Sequence, residues 1–244
     1  INQTRYCENV GSTHHPSQTA YALAIDFNLM PEETMEQTTH YFVESIHRRD
    51  NHLSVGFLGI SHLLPALTKC GQNELAFTLL EQKGNPGWLY SVINGATTIW
   101  ERWNSYIAET GTFGDVSMNS FNHYAYGSIG QWLYRTVLGI QTGENIDEAG
   151  YHKIFLTPFW GGTLTYAKGE QETPFGKIVS SWEKKENSVV YHCEIPANTT
   201  AHLSLPANDH NSVQILEGAA IADAAVSGVA GFELVSGRYT FKID

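Results

Sequence analysis

One tryptophan-rich stretch contains the residue types that carbohydrate chemistry needs. Three of the six tryptophans, Trp88, Trp100 and Trp103, fall within 16 residues, together with the carboxylate of Glu101. Aromatic faces pack on the apolar C–H faces of sugar rings, and a few polar groups then fix the hydroxyls. A carboxylate held among such rings can draw a proton from water in glycoside hydrolysis. The stretch is therefore a candidate sugar site, with Glu101 as its candidate base.

The same stretch also fits a purely structural role. Thr98 and Glu101 have the spacing of a capping box. In this motif Thr98 is the N-cap, and the Glu101 side chain accepts a hydrogen bond from the backbone N–H of Thr98. Trp100 and Trp103 are three residues apart, so they would share one face of the helix and could belong to the core. The spacing alone favours this capping-plus-core interpretation and leaves the sugar site open.

A second polar cluster follows about twenty residues later. Asn122 and His123 lie among aromatic residues at the start of an otherwise apolar segment that predicts a helix. His123 could hydrogen-bond a sugar hydroxyl or orient a carboxylate. It could equally be a structural histidine that covers the start of the helix, and the pattern alone favours that interpretation.

Other chemistries find no support in the sequence. The histidines at 14–15 and 47–52 match neither an H-E-x-x-H helix nor a Cys/His zinc spacing, so no metal site is predicted. No phosphate-cradling glycine loop or G-x-S-x-G elbow occurs, and no cofactor is expected. The net charge of -11 argues against a nucleic-acid partner. The apolar run 63–67 is far shorter than the roughly 20 residues that span a membrane.

The first half of the chain has the patterns of helices. Apolar positions recur at helical spacing, and glycines stand just past several expected helix ends. Consecutive helices with short turns indicate antiparallel hairpins in a toroid or bundle. The predicted helices cover residues 17–27, 31–49, 56–69, 73–82, 98–106 and 121–138, with no strands between them.

The second half has the patterns of strands. Short β-rich runs alternate with turn residues at roughly ten-residue spacing, which is typical of a sandwich or barrel. The boundary between the two halves is expected within 143–150. The predicted strands cover residues 154–158, 163–167, 177–182, 188–193, 202–205, 232–235 and 238–242.

These stretches together resemble the bacterial α-L-rhamnosidases, the family 78 glycoside hydrolases. The most specific block is Gly95-Ala-Thr-Thr-Ile-Trp-Glu-Arg-Trp103, and four others occur in the family's order. The similarity continues through residues 154–182. The other four blocks are Pro16-Ser-Gln-Thr-Ala-Tyr-Ala-Leu-Ala-Ile25, Val55-Gly-Phe-Leu-Gly59, Pro86-Gly-Trp-Leu-Tyr90, and Ser120-Phe-Asn-His-Tyr-Ala-Tyr-Gly127 with Gln131-Trp-Leu-Tyr134.

The resemblance implies a fold of two parts. Residues 1–147 would form the C-terminal half of an (α/α)6 toroid barrel, and residues 148–244 would form a jelly-roll-like β-sandwich. The chain starts at Ile1 without a methionine or a signal-peptide pattern. We therefore expect it to be part of a longer enzyme, whose upstream half is its expected partner. The organism is expected to be bacterial, and the cellular compartment stays open.

The resemblance also implies a chemistry. Enzymes of this family hydrolyse terminal α-L-rhamnose from glycosides or polysaccharides with inversion, using two glutamates. Glu101 matches the general base and His123 matches a residue that lines the sugar subsite. Trp100 and Trp103 would shape the pocket, and Asn122 and Trp88 are the further substrate-binding candidates.

One element of the family's site has no match in this sequence. The general acid belongs to an Asp-rich motif of the barrel's first half, and inverting hydrolysis needs both carboxyl groups. The chain alone is therefore expected to be inactive. Two alternatives remain: a sugar-binding module that keeps the rhamnose subsite without catalysis, and another (α/α)6 glycosidase.

Overall fold

A computed structural model describes residues 17–143, 145–146, 148–207, 209–223 and 228–244. The histidines at 14–15, and Pro16 of the first family block, lie outside the described residues. The chain separates into two compact units, one that ends at Gly130 and a second formed by Gln131–Asp244. The domain boundary predicted between residues 147 and 148 stays a prediction. None of the described helices is long and apolar enough to cross a membrane.

The first four predicted helices are confirmed, with ends that differ by a few residues. Ser17 is the N-cap of the first, and its hydroxyl accepts the Ala20 N–H at 3.1 Å. Gly71, with φ of +71°, follows the third, where a left-handed residue is needed. The helices are α1 (Gln18–Asp26), α2 (Met35–His47, preceded by a 3-10 turn Glu32–Thr34), α3 (Phe57–Lys69) and α4 (Asn73–Leu80).

The core of the first unit is built from one apolar face of each helix. Helix α1 packs along α3, and α3 packs in turn on α4. Phe42 of α2, Leu63 and Leu67 of α3 and Phe77 of α4 are fully buried. Burial of these side chains, about 1.5–3 kcal/mol each, is what holds the short helices together. The consecutive packed helices agree with the predicted six-hairpin architecture.

The predicted helix over residues 98–106 is wrong. This segment consists of bends and turns, and it ends in a small hairpin of β1 (Tyr106–Ile107) and β2 (Thr112–Phe113). Thr98 does not cap a helix, because its hydroxyl donates to the Phe121 carbonyl. Trp100 and Trp103 therefore share no helix face. A short helix that the pattern did not predict, α5 (Trp88–Ile93), lies upstream of this segment.

The last predicted helix is confirmed over most of its length, but it starts later. A 3-10 turn Ala125–Ser128 leads into α6 (Ile129–Trp132) and then a π-helical turn Leu133–Val137. Residues 121–124 stay outside the helix because they pair with the segment around Ile99. Asn122 and His123 consequently precede the helix instead of occupying its first turn.

The second unit contains two five-stranded sheets. Their strand orders are β10-β11-β8-β4-β3 and β5-β6-β7-β12-β9. Every described strand pair is antiparallel except β4 with β8. The strands are β3 (Ile140–Thr142), β4 (Lys153–Leu156), β5 (Tyr166–Thr173), β6 (Gly176–Lys184), β7 (Val189–Ile195), β8 (Thr200–Pro206), β9 (Val213–Glu217), β10 (Ile221–Ala222), β11 (Val229–Leu234) and β12 (Gly237–Ile243).

The two sheets enclose one apolar core. Phe232 of β11 and Phe241 of β12 belong to different sheets, and their ring centroids are 5.1 Å apart. Trp182 is buried, and its indole N–H donates to the Val137 carbonyl at 2.8 Å. The predicted β-sandwich is thereby confirmed. The prediction missed β3, β9, β10 and most of β5, whose sequences lack a clear apolar alternation.

Candidate active site

Two segments that are separate in sequence lie side by side around Glu101. The Glu101 N–H donates to the Ser120 carbonyl at 2.8 Å, and the His123 N–H donates to the Ile99 carbonyl at 2.8 Å. Together with the Thr98 hydroxyl bond to Phe121, these contacts align residues 98–101 with residues 120–123. Backbone hydrogen bonds therefore bring the two candidate clusters into one site.

The carboxylate of Glu101 is oriented by the backbone of the neighbouring segment. Its Oε2 accepts the Ser120 N–H at 2.7 Å. Within the described part of the chain this is the only hydrogen bond to the carboxylate, and the residue is half-buried. A backbone donor cannot swing away as a side chain can, so one oxygen is held in place. The other oxygen is left to act on water or substrate.

Aromatic rings form a continuous row beside this carboxylate. Trp88 meets Trp103 edge to face at 5.5 Å, and Trp103 stacks on Tyr126 at 3.7 Å with an interplanar angle of 7°. Phe57 then contacts Tyr126 at 5.7 Å and stacks on His123 at 4.8 Å. We call these five residues the aromatic row. Sugar C–H faces pack on aromatic rings that are accessible, and in this row Phe57 is exposed while Trp103 and His123 are half-buried.

Two helix starts position two residues of the row. Phe57 is the first residue of α3 and Trp88 is the first residue of α5, and a glycine precedes each. A Cβ on Gly87 would lie 2.6 Å from the Gln82 carbonyl oxygen and 2.7 Å from that of Gly84. Only glycine permits this close approach, which places Trp88 where its indole N–H donates to the Tyr126 carbonyl at 2.9 Å.

His123 is arranged to donate a hydrogen bond from its outer nitrogen. Its Nδ1 lies 3.2 Å from the Ala125 N–H, which can only donate. In the neutral imidazole the proton must then reside on Nε2. The ring is held between Phe57 and Tyr124, which stacks on it at 5.0 Å. A polar donor is thus presented at the end of an aromatic surface.

The charges near Glu101 have separate partners. Arg102 forms an ion pair with Asp115 at 3.9 Å. Hydrogen bonds from Ser117 lower the pKa of Asp115, so this carboxyl group stays ionised. Burial raises the pKa of Tyr126 to about 12. The positive charge of Arg102 lowers this pKa and the negative charge of Glu101 raises it, and both effects are smaller than that of burial. The Tyr126 phenol is therefore protonated at neutral pH.

Two cavities of very different size border the row. Between Trp88, Trp100, Trp103 and Tyr126 the cavity measures only about 20 Å³, so these rings pack on one another. A groove of about 720 Å³ also borders Trp103 and is lined by residues 49–50 and 52–56, Asn85 and Pro86. The latter volume is in the range of small-molecule pockets.

The predicted site residues fall into three groups. Glu101, His123 and Trp103 are half-buried, and the backbone pairing and the aromatic row bring them into one region. Trp88 and Trp100 are largely buried, so they support the site from beneath, and Asn122 is exposed. The sequence interpretation did not single out Phe57 and Tyr126, although both stand within the blocks that carry the family resemblance.

Two family models match the chain. One is described as the bacterial alpha-L-rhamnosidase 6 hairpin glycosidase domain and covers residues 1–137. The other is the bacterial alpha-L-rhamnosidase C-terminal domain and covers residues 139–220. Together they account for both the helical and the β-rich parts.

Individual proteins show the same relationship. An alpha-L-rhamnosidase of Streptomyces avermitilis is 38% identical to this chain; the match covers 99% of this chain and 23% of the relative. An alpha-L-rhamnosidase of Formosa agariphila is 41% identical; the match covers 82% of this chain and 21% of the relative. The structure of the S. avermitilis protein with L-rhamnose matches 93% of this chain, and 21% of its own, with a TM-score of 0.85 and 38% identity. The alpha-L-rhamnosidase from Dictyoglumus thermophilum matches 100% of the chain, and 27% of its own, with a TM-score of 0.82 and 29% identity. The chain thus spans about a quarter or less of these relatives.

Proposed function

The chain belongs to the bacterial α-L-rhamnosidase family, and we propose that it supplies the general-base side of an α-L-rhamnosidase active site. The reaction is inverting hydrolysis of a terminal α-L-rhamnose from a glycoside or polysaccharide. The observation that carries this proposal is the Glu101 carboxylate, held by the Ser120 N–H at 2.7 Å beside the aromatic row. Orientation without full burial suits a base that must reach a water molecule.

Glu101 acts in this scheme by removing a proton from water. As the water oxygen attacks the anomeric carbon, its proton passes to the carboxylate, and the bond to the leaving oxygen breaks on the opposite face. The Ser120 N–H holds Oε2, so Oε1 takes the proton without a change of rotamer. Such pre-orientation lowers the barrier because the geometry is set before reaction.

The neighbouring residues bind and orient the sugar. The apolar face of the rhamnose ring packs against the accessible members of the row, Phe57 and Trp103, and the Nε2–H of His123 donates to a ring hydroxyl. The groove beside Trp103 has room for the rest of the glycoside. Trp88 and Trp100 keep this surface in place, and Asn122 is the outermost substrate contact.

The general acid comes from another part of the full-length enzyme. Asp115 also carries a carboxyl group near this site, but its lowered pKa keeps it ionised, whereas a general acid must hold a proton. The family's Asp-rich motif of the first half-barrel has no match in this sequence. The upstream half of the barrel is therefore the partner that completes the site.

The test is Glu101→Gln in the full-length enzyme, assayed on an aryl α-L-rhamnoside. The amide oxygen still accepts the Ser120 N–H, so folding is kept, while kcat falls on the order of 10³-fold because general-base catalysis is lost. Glu44→Gln, which removes a surface carboxylate on α2, is the matched control and keeps wild-type turnover.

Azide separates loss of a base from general damage. Azide is a nucleophile that needs no deprotonation, so it should restore part of the Glu101→Gln turnover and yield a rhamnosyl azide of inverted configuration. Near-normal turnover of Glu101→Gln without azide would show that Glu101 is not the general base.

A further inference from the structure

A histidine and two carboxylates meet on the outer face of one sheet in the second unit. His202 of β8 and Glu233 of β11 are direct cross-strand partners, so their side chains lie on the same face. Asp223 follows β10, and its N–H donates to the Gly231 carbonyl at 2.9 Å, which places it beside β11. Three different chain segments thus bring three ligand-type side chains together.

The donor atoms of this cluster converge on one point. His202 Nδ1 lies 2.8 Å from Glu233 Oε1 and 3.8 Å from Asp223 Oδ2. Ligand atoms of all three residues lie within 4.8 Å of one another. Donors that share a tetrahedral zinc ion, each about 2.1 Å from it, are roughly 3.4 Å apart. One nitrogen–oxygen distance is shorter than this value and the other is longer, so side-chain movements of less than about 2 Å would bring these donors to the spacing of a shared ion.

Gly231 allows Asp223 to approach the sheet closely at the same point. It is two residues before Glu233 on β11 and therefore shares its face. A Cβ at this position would lie 3.3 Å from the Asp223 Cβ and 3.8 Å from both the Asp223 Oδ2 and the His202 Cε1. On the other side, Phe155 of β4 lies against the His202 ring at 6.3 Å. The imidazole is thus flanked by an aromatic ring and faces the carboxylates.

We propose that His202, Asp223 and Glu233 form a zinc-binding site. One imidazole nitrogen and two carboxylates make a mixed nitrogen and oxygen donor set. Zn²⁺ binds such sets, whereas Ca²⁺ and Mg²⁺ prefer oxygen ligands alone. The two carboxylates balance the charge of the ion. The side chains are 27%, 47% and 52% exposed, so water completes the coordination and the ion exchanges with solvent.

The role of the ion is structural. It would tie Asp223, at the end of the two-residue strand β10, to the longer strands β8 and β11. Binding to the folded state alone stabilises it by mass action, so zinc raises the melting temperature. The proposed zinc site does not involve Glu101, so the zinc experiments test it independently of the proposed sugar chemistry.

The experiment is calorimetric titration of ZnCl₂ into the metal-free chain. Glu233→Gln and Asp223→Asn should each lose one equivalent of zinc or bind it at least tenfold more weakly than wild type. Glu194→Gln is the matched control, because it removes a carboxylate 3.6 Å from a different histidine, His192, in the same unit. The control should bind as wild type does, and circular dichroism confirms that each variant is folded.

Thermal melting provides a second readout. Zinc should raise the melting temperature of the wild type and of Glu194→Gln, and should raise that of Glu233→Gln less. Zinc binding that is equal in Glu233→Gln and wild type would place the ion elsewhere and overturn the site. A wild-type chain that takes up no zinc would show that the cluster is only an ion triad of the imidazole and its carboxylates.

Discussion

Glu101 depends on a single backbone N–H for its orientation. The Ser120 N–H at 2.7 Å holds one carboxylate oxygen, and the backbone hydrogen bonds between residues 99–101 and 120–123 hold Ser120 in place. His123 is oriented in the same way, since the Ala125 N–H determines which ring nitrogen carries the proton. The two polar groups of the site are therefore set by main-chain geometry, which side-chain mutations disturb little.

At the residue scale, His123 can be tested by two substitutions in the full-length enzyme. His123→Ala removes both the Nε2–H donor and the ring between Phe57 and Tyr124, whereas His123→Phe keeps a ring there. One lost hydrogen bond corresponds to about 1 kcal/mol, so KM for the rhamnoside should rise about fivefold in both variants. Steady-state kinetics on an aryl rhamnoside measures this.

The comparison of the two variants separates bonding from stacking. If KM rises in His123→Ala and not in His123→Phe, the ring matters and the donor does not. If neither KM nor kcat changes in either variant, His123 has only a structural role.

At the element scale, the aromatic row is placed by the ends of helices. Helices α3 and α5 each begin with an aromatic residue of the row directly after a glycine. The two glycines differ in their surroundings: a Cβ on Gly87 would collide with two carbonyl oxygens, while a Cβ on Gly56 meets nothing within 4 Å. This difference offers a matched pair of variants.

Gly87→Ala should lower the free energy of unfolding more than Gly56→Ala does. The colliding atoms of Gln82 and Gly84 are backbone atoms, so the loop must shift, at a cost of about 1–3 kcal/mol. The shift also moves Trp88 at the start of α5. Urea unfolding of the two variants measures the free energies, and equal stabilities would show that the loop accommodates the methyl group freely.

At the scale of the whole molecule, the proposed site contains one of the two carboxyl groups that the proposed inverting hydrolysis needs. The chain spans 23% of the length of its S. avermitilis relative, and Asp115 is held in its ionised form. The aromatic row and His123 are nevertheless present. The described part of the chain thus carries the proposed sugar-contacting residues, and the group that protonates the leaving oxygen is expected in the upstream half of the enzyme.

We accordingly expect no turnover of an aryl rhamnoside by this chain alone. Mixing it with the separately produced upstream half of the enzyme should restore activity, and the Glu101→Gln chain in the same mixture should not. Calorimetry with L-rhamnose measures whether the isolated chain binds the sugar. Turnover by the isolated chain would contradict the missing-acid hypothesis.

Much of this protein could be predicted from local sequence. Helix periodicity, the Ser17 cap and Gly71 locate the ends of the first helices, because caps and left-handed glycines act within a few residues. The family blocks predict Glu101 and His123 as site residues. The sequence alone also indicated the change from helices to a β-sandwich.

Tertiary structure decided what local patterns could not. Thr98 and Glu101 have the spacing of a capping box, but residues 120–123 compete for the same hydrogen-bonding groups and prevent the helix. Phe57 and Tyr126 join the site only through stacking with residues distant in sequence. His202, Asp223 and Glu233 likewise meet only because the sheet pairs their strands. Pairing between distant segments leaves no periodic signal in the sequence, and this is where the sites are assembled.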